Sequence, residues 1–241
     1  MFKLRNKISR LPQISWFLGR QTLTSTIERL SAKPRREQAV LDYVKKTAPP
    51  GQPDAVLQAM DEFARQQSWL MNIGPKKGKI LQEALVSAGA RHVLEIGAYC
   101  GYSATLIGQH LKPVGGSLIS VEKSRRCADI AKQMVEHAGL SQCVEFRAGT
   151  LADHISHFDK PFDAVLLDHW KDEYLPDLQR IEAAGLLRRG SVVVADNIEF
   201  FDVPDYLDYV RHSGGYTSTF HKSSVEYNDT IPDGVEVSIA L

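Results

Sequence analysis

The sequence predicts an α/β fold: a doubly wound, mostly parallel seven-stranded sheet with helices on both faces and a C-terminal antiparallel strand pair. Two observations carry this. Five short runs rich in Val, Leu and Ile alternate with helical stretches between residues 92 and 195, the pattern of parallel strands covered on both faces. The first run also ends in a glycine turn, EIGAYCGYS at 95–103, that feeds directly into a helix.

Taken in order, residues 37–47 and 54–68 read as helices split by the breaker Pro49-Pro50-Gly51, with Pro53 entering the second. Strands follow at 92–96, 117–121, 144–146, 163–167 and 191–195. Helices fall at 102–111, 124–138, near 151–157 and at 173–187, and segments 216–222 and 235–240 form the closing β pair. All of this makes 37–241 one domain. The preceding 1–36 carries nine basic residues against Glu28 alone, a leader of +8 that leaves the rest of a neutral chain at −8. Its apolar Phe2, Leu4, Ile8, Leu11 and 16–18 among cations fit a membrane-surface helix or an organelle transit peptide, and equally a frayed extension.

Composition narrows the partners. At 241 residues, 43% hydrophobic and 24% charged, the chain is an ordinary globular protein rather than a disordered, collagenous or disulfide-scaffold one. Cys100, Cys127 and Cys143 form no CxxC pair, which suits a reducing, cytoplasmic setting and disfavours a thiolate zinc site. No run approaches the length of a membrane span. A body of −8 makes a poor polyanion binder, so no nucleic acid is expected as partner.

The strand ends carry the chemistry. The G-x-x-x-G spacing at Gly97 and Gly101 is not that of dinucleotide folds, and Glu95 beside the turn would repel a pyrophosphate but attract a sulfonium or amino group. Glu122, at the end of the second strand, can accept bonds from both hydroxyls of a ribose. A nucleoside cofactor such as S-adenosyl-L-methionine fits this pair, the alternative being a plain tight turn. Asp168 and the Asp196-Asn197 pair end the fourth and fifth strands, where hard oxygens suit Mg2+, or else merely cap helices. Lys171 stands three residues after Asp168. A neighbouring dication would favour its neutral amine, a usable general base, whereas spacing alone fits a solvated lysine paired with Asp172 or Glu173.

These residues resemble the catechol O-methyltransferase family, magnesium- and S-adenosylmethionine-dependent enzymes with a Rossmann-like fold. The likeness runs over about 37–241 and is most specific in WLMNIG at 69–74, EIGAYCGYS at 95–103, DHWKDEYLPD at 168–177, Asp196-Asn197 and VEY at 225–227. It implies methyl transfer to one hydroxyl of a Mg2+-chelated catechol, a small aromatic diol, by a monomer. Asp168, Asp196 and Asn197 would hold the metal, Lys171 would take the hydroxyl proton, and Asn197 and Glu226 would hold the substrate. The cofactor would meet Asn72, Ile73, Glu95, Gly97, Tyr99, Ser103, Glu122, Thr150, Asp168, His169 and Trp170. Met71 would lie beside the methyl group, with Trp69, Trp170 and Phe201 as walls of the substrate pocket.

Two positions depart from the family pattern. Leu151 stands where a glutamine usually reaches the adenine, and Phe201 where a proline usually guards the pocket. The alternatives are therefore a related magnesium enzyme for another phenolic metabolite, or a cofactor-binding scaffold without turnover.

Overall fold

The computed structural model describes residues 35–241. All but the end of the basic leader, and with it the membrane-surface or transit reading, lies outside the described residues. Three helices lead into the sheet: α1 (Arg36–Thr47), α2 (Pro53–Gln66) and α3 (Gly74–Ser87). Each buries one stripe at helical spacing: Val40, Leu41 and Val44 in α1, and Val56, Met60 and Phe63 in α2. In α3 the stripe is Gly74, Lys77, Gly78, Leu81, Ala84 and Leu85, with a lysine inside it.

Strands and helices then alternate: β1 (His92–Ile96), α4 (Tyr102–Val114), β2 (Ser117–Glu122), α5 (Arg125–His137), β3 (Val144–Ala148), α6 (Leu151–His154), β4 (Ala164–Leu167), α7 (Tyr174–Ala183) and β5 (Val192–Ala195). After α8 (Pro204–His212), β6 (Tyr216–Val225) and β7 (Asn228–Ala240) complete a seven-stranded sheet of order β3-β2-β1-β4-β5-β7-β6. The first five strands are parallel, and β7 runs antiparallel between β5 and β6. β4 and β5 are buried at every residue, as strands covered on both faces must be.

The expected fold class holds, with three differences. Helix α3 was not expected, because glycines and lysines dilute its apolar stripe. Helix α8, preceded by turn residues, was also missed. The closing hairpin reaches past 222 and 235 to a two-residue turn at Glu226 and Tyr227, the polar stretch 228–234 being held as strand by its pairing with β6.

Strand order reverses between β1 and β4, and the carboxyl ends of β1, β4 and β5 there form one edge. The backbones touch at that edge. A Cβ on Gly97, at φ +101°, would lie 2.3 Å from the carbonyl oxygen of Asp168. Gly97→Ala is expected to lower the unfolding free energy by about 1–3 kcal/mol through overpacking alone, with backbone strain adding to it. A urea denaturation midpoint equal to wild type would contradict this close approach.

Candidate active site

At the carboxyl end of β5, Asp196 is fully buried and Asn197 takes a left-handed backbone (φ +55°) tolerated by asparagine. The Glu226 turn brings a second carboxylate alongside, and Asp233 in β7 a third, so that ligand oxygens of Asp196, Glu226 and Asp233 lie within 4.8 Å of one another. Into this cluster α3 sends Lys77, fully buried, whose Nζ donates to Asp233 Oδ2 at 2.9 Å and to Glu226 Oε1 and forms an ion pair with Asp196 Oδ1 at 2.7 Å. Burial alone would discharge the lysine, but these three carboxylates outweigh it and hold the ammonium charged. Asn197 Nδ2 donates to Glu226 Oε1 and to Asp233 Oδ2, both at 2.8 Å.

One oxygen stays out of the network. Asp196 Oδ1 also accepts from the Asn197 amide at 2.7 Å, while Asp196 Oδ2 is buried with no partner. Burial pushes the Asp196 carboxyl well above the usual carboxylate range, with Lys77 pulling it back. Asp168 is likewise raised by burial, against Lys171 and Lys77.

Lys171 is not a solvated surface lysine. It lies in a 3₁₀ turn ahead of α7, and its Nζ donates to Asp168 Oδ1 at 3.3 Å and to the Tyr174 hydroxyl at 2.6 Å. That hydroxyl donates in turn to the Asp196 carbonyl at 3.0 Å. The same ammonium lies 5.6 Å from the centre of the Phe201 ring. Met71, Trp170 and Phe201 are the exposed large apolar side chains nearby in sequence to these groups, and Trp69 Nε1 donates to the Glu226 carbonyl at 2.8 Å.

On the β1 side, Glu122 Oε2 accepts from the amides of Ala98 and Tyr99 at 3.0 and 2.9 Å, and Tyr99 sits at φ +46°. Glu95 is fully buried beneath the turn. The Ser120 hydroxyl donates to its Oε2, and Oε1 has no partner. Burial pushes its carboxyl up to about 7, against the hydroxyls of Ser103 and Ser120. Ile73 and Asn72 are buried just before α3, and the Asn72 side chain meets the Tyr227 hydroxyl at 2.9 Å. His169 turns toward Asp177, Nε2 to Oδ2 being 3.0 Å. Thr150 is spent locally, its amide and hydroxyl both donating to Asp153 at the start of α6.

Sequence reasoning missed Lys77, Tyr174 and Asp233. Lys77 left one signal, a charged residue on the buried stripe of an amphipathic helix. A cavity of about 340 Å³ lies at the opposite edge of the sheet, between His92, Ser117, Cys143, Arg147 and His157 among others, and none of the site residues lines it.

A family model described as O-methyltransferase matches residues 50–203. The chain belongs to the O-methyltransferase family. Relatives include catechol O-methyltransferase B of Danio rerio, 44% identical over 211 residues that make up 86% of this chain and 79% of the relative. Catechol O-methyltransferase of Mus musculus is 38% identical over 95% of this chain and 86% of its own length. Among solved structures, an O-methyltransferase from Bacillus cereus in complex with SAH aligns at TM-score 0.66 and 25% identity, covering 84% of this chain and 97% of that one. The activity class is therefore S-adenosylmethionine-dependent transfer of a methyl group to oxygen. Among the described residues, no helix is long and apolar enough to cross a membrane.

The raised Glu95 carboxyl makes stability pH-dependent. The folded chain holds this proton more tightly than the unfolded one, so the stability it confers is complete below about pH 4.5 and is lost as pH rises through 7. Glu95→Gln, in cofactor-free protein, is expected to match wild type at pH 4 and to exceed it at pH 8 by up to about 3 kcal/mol. Thermal melts across that range check this, and a constant difference between the two proteins would contradict it.

Proposed function

We propose that this O-methyltransferase transfers the methyl group of S-adenosylmethionine to one hydroxyl of a catechol bound at a magnesium ion. The observation that carries the reading is the convergence of Asp196, Asn197 and Glu226 in one buried network, with Lys171, itself paired with Asp168, joined to it through the Tyr174 hydroxyl. The donor set suits magnesium. Asp196 keeps an unpartnered buried oxygen, and Asn197 gives its Nδ2 hydrogens to carboxylates, leaving its side-chain Oδ1 for a cation. Asp168, Asp196 and Asn197 are the proposed ligands. Bound there, magnesium would supply Lewis-acid stabilisation of the substrate oxyanion.

The chain's own groups would do the rest. In its neutral form Lys171 Nζ accepts the proton of the hydroxyl to be methylated. All the hydrogen bonds described for the Glu226 carboxylate fall on Oε1, so Oε2 is the oxygen proposed to accept from the second hydroxyl. Met71, Trp170 and Phe201 would pack on the flat ring, a use that fits large apolar side chains left exposed to solvent. Glu95, Ser103 and the 97–101 turn would hold the amino-acid end of the cofactor, and Glu122 its ribose. Methyl transfer is an in-line displacement, so holding the two reactants in line is the main task. Residues 37–241 are proposed as the catalytic domain, with 1–36 outside the chemistry.

Phe201 beside Lys171 favours one second reading, the same chemistry on another phenolic acceptor. A panel of catechols and such acceptors, assayed with labelled cofactor, separates the two. With catechol, EDTA should abolish turnover and added Mg2+ restore it, and Lys171→Ala should lower kcat by about 100-fold or more. Full turnover in EDTA would contradict the magnesium reading, and wild-type kcat in the variant would remove Lys171 as base.

A further inference from the structure

Lys77 has no part in the reaction above, yet its ammonium meets three carboxylates of the site. It pairs with one oxygen each of Asp196, Glu226 and Asp233: Oδ1, Oε1 and Oδ2. Asn197 donates to the same Glu226 and Asp233 oxygens through its side chain, and to the same Asp196 oxygen through its backbone. The second oxygen of Asp233 accepts from the Phe200 amide at 3.1 Å, so both of its oxygens are engaged within the chain and it serves as an anchor. What remains turned away from Lys77 is Asp196 Oδ2, buried and unpartnered, together with Glu226 Oε2 and Asn197 Oδ1.

We propose that Lys77 is a positioning residue that selects which oxygens of Asp196, Glu226 and Asn197 face the metal and the substrate, and that it stays in place when the metal binds. The proposal rests on the magnesium reading and adds to it a fixed internal cation with Asp233 as its counter-anchor. Lys77 ties one oxygen of Asp196, so that carboxylate is left to bind a cation through the other oxygen alone. It also fixes the Glu226 carboxyl, which otherwise sits on a two-residue turn. Through the two oxygens it shares with Asn197 Nδ2, it holds the asparagine amide with its carbonyl oxygen outward.

The test uses Mn2+ as the probe, titrated into the full chain and followed by electron paramagnetic resonance. Lys77→Met combined with Asp233→Asn removes one positive and one negative charge, leaving the formal charge of the site unchanged and only the anchoring lost. The expected result is a folded variant that binds Mn2+ about tenfold or more weakly than wild type. A folded variant with Mn2+ affinity within twofold of wild type would overturn the positioning role. Should the pair not fold, the wild-type chain still decides. Its Lys77 ammonium should give a slowly exchanging 15N signal that persists on saturation with Mg2+. Loss of that signal would show the ammonium to be a stand-in that the metal displaces, and would overturn the proposal. If wild type itself binds no Mn2+, the magnesium reading falls and takes this one with it, whereas normal wild-type binding with an unaffected variant removes Lys77 alone.

Discussion

The site is organised around one buried ammonium. Taking a lysine and its carboxylate partners out of water costs several kcal/mol per ion, recovered only where geometry and hydrogen bonding are complete. Here completeness requires four separate pieces of chain to meet: α3 for Lys77, the end of β5 for Asp196, the hairpin turn for Glu226 and β7 for Asp233. The antiparallel β7 between β5 and β6 puts Glu226 and Asp233 next to Asp196, which a sheet ending at β5 could not do. Strain gathers at the same place. Asn197 and Tyr227, beside Asp196 and Glu226, hold left-handed backbones at +55° and +58°; asparagine tolerates this, but for the tyrosine it costs about 1–3 kcal/mol that only a well-determined surrounding sustains.

A second constraint, steric rather than electrostatic, joins the two halves of the edge. The Gly97 backbone meets the Asp168 carbonyl so closely that no side chain fits between them. Asp168 thereby stands between the glycine turn, with Glu95 buried beneath it, and the Lys171–Tyr174–Asp196 chain of hydrogen bonds. One residue thus touches both sides, by its backbone toward the glycine turn and by its carboxylate toward Lys171.

Much of this was legible in the sequence, and the remainder fails for physical reasons. The parallel core is local information: β4 and β5 are runs of apolar residues between helices, and they read as strands on sight. Asp168, Asp196 and Asn197 follow from their position at strand ends. Glu226 had no local signature and entered only through resemblance, because its place depends on a hairpin turn whose strands are polar and paired by tertiary contact. Lys77 was hidden by its type. A lysine in a glycine-containing helix reads as solvated until the helix is seen to turn that face inward, and Asp233 becomes visible only with its partner. Thr150 shows the converse, a residue drawn in by resemblance whose hydroxyl and amide serve the cap of α6.

This network is proposed to present a preformed set of oxygens to a metal. The most direct measurement is the anomalous scattering of Mn2+ in crystals of the full chain. A single peak is expected, bounded by Asp168, Asp196 Oδ2 and Asn197 Oδ1, with Lys77 still paired with Asp196 Oδ1. A peak in the position of the Lys77 ammonium, or one away from these oxygens, would contradict it.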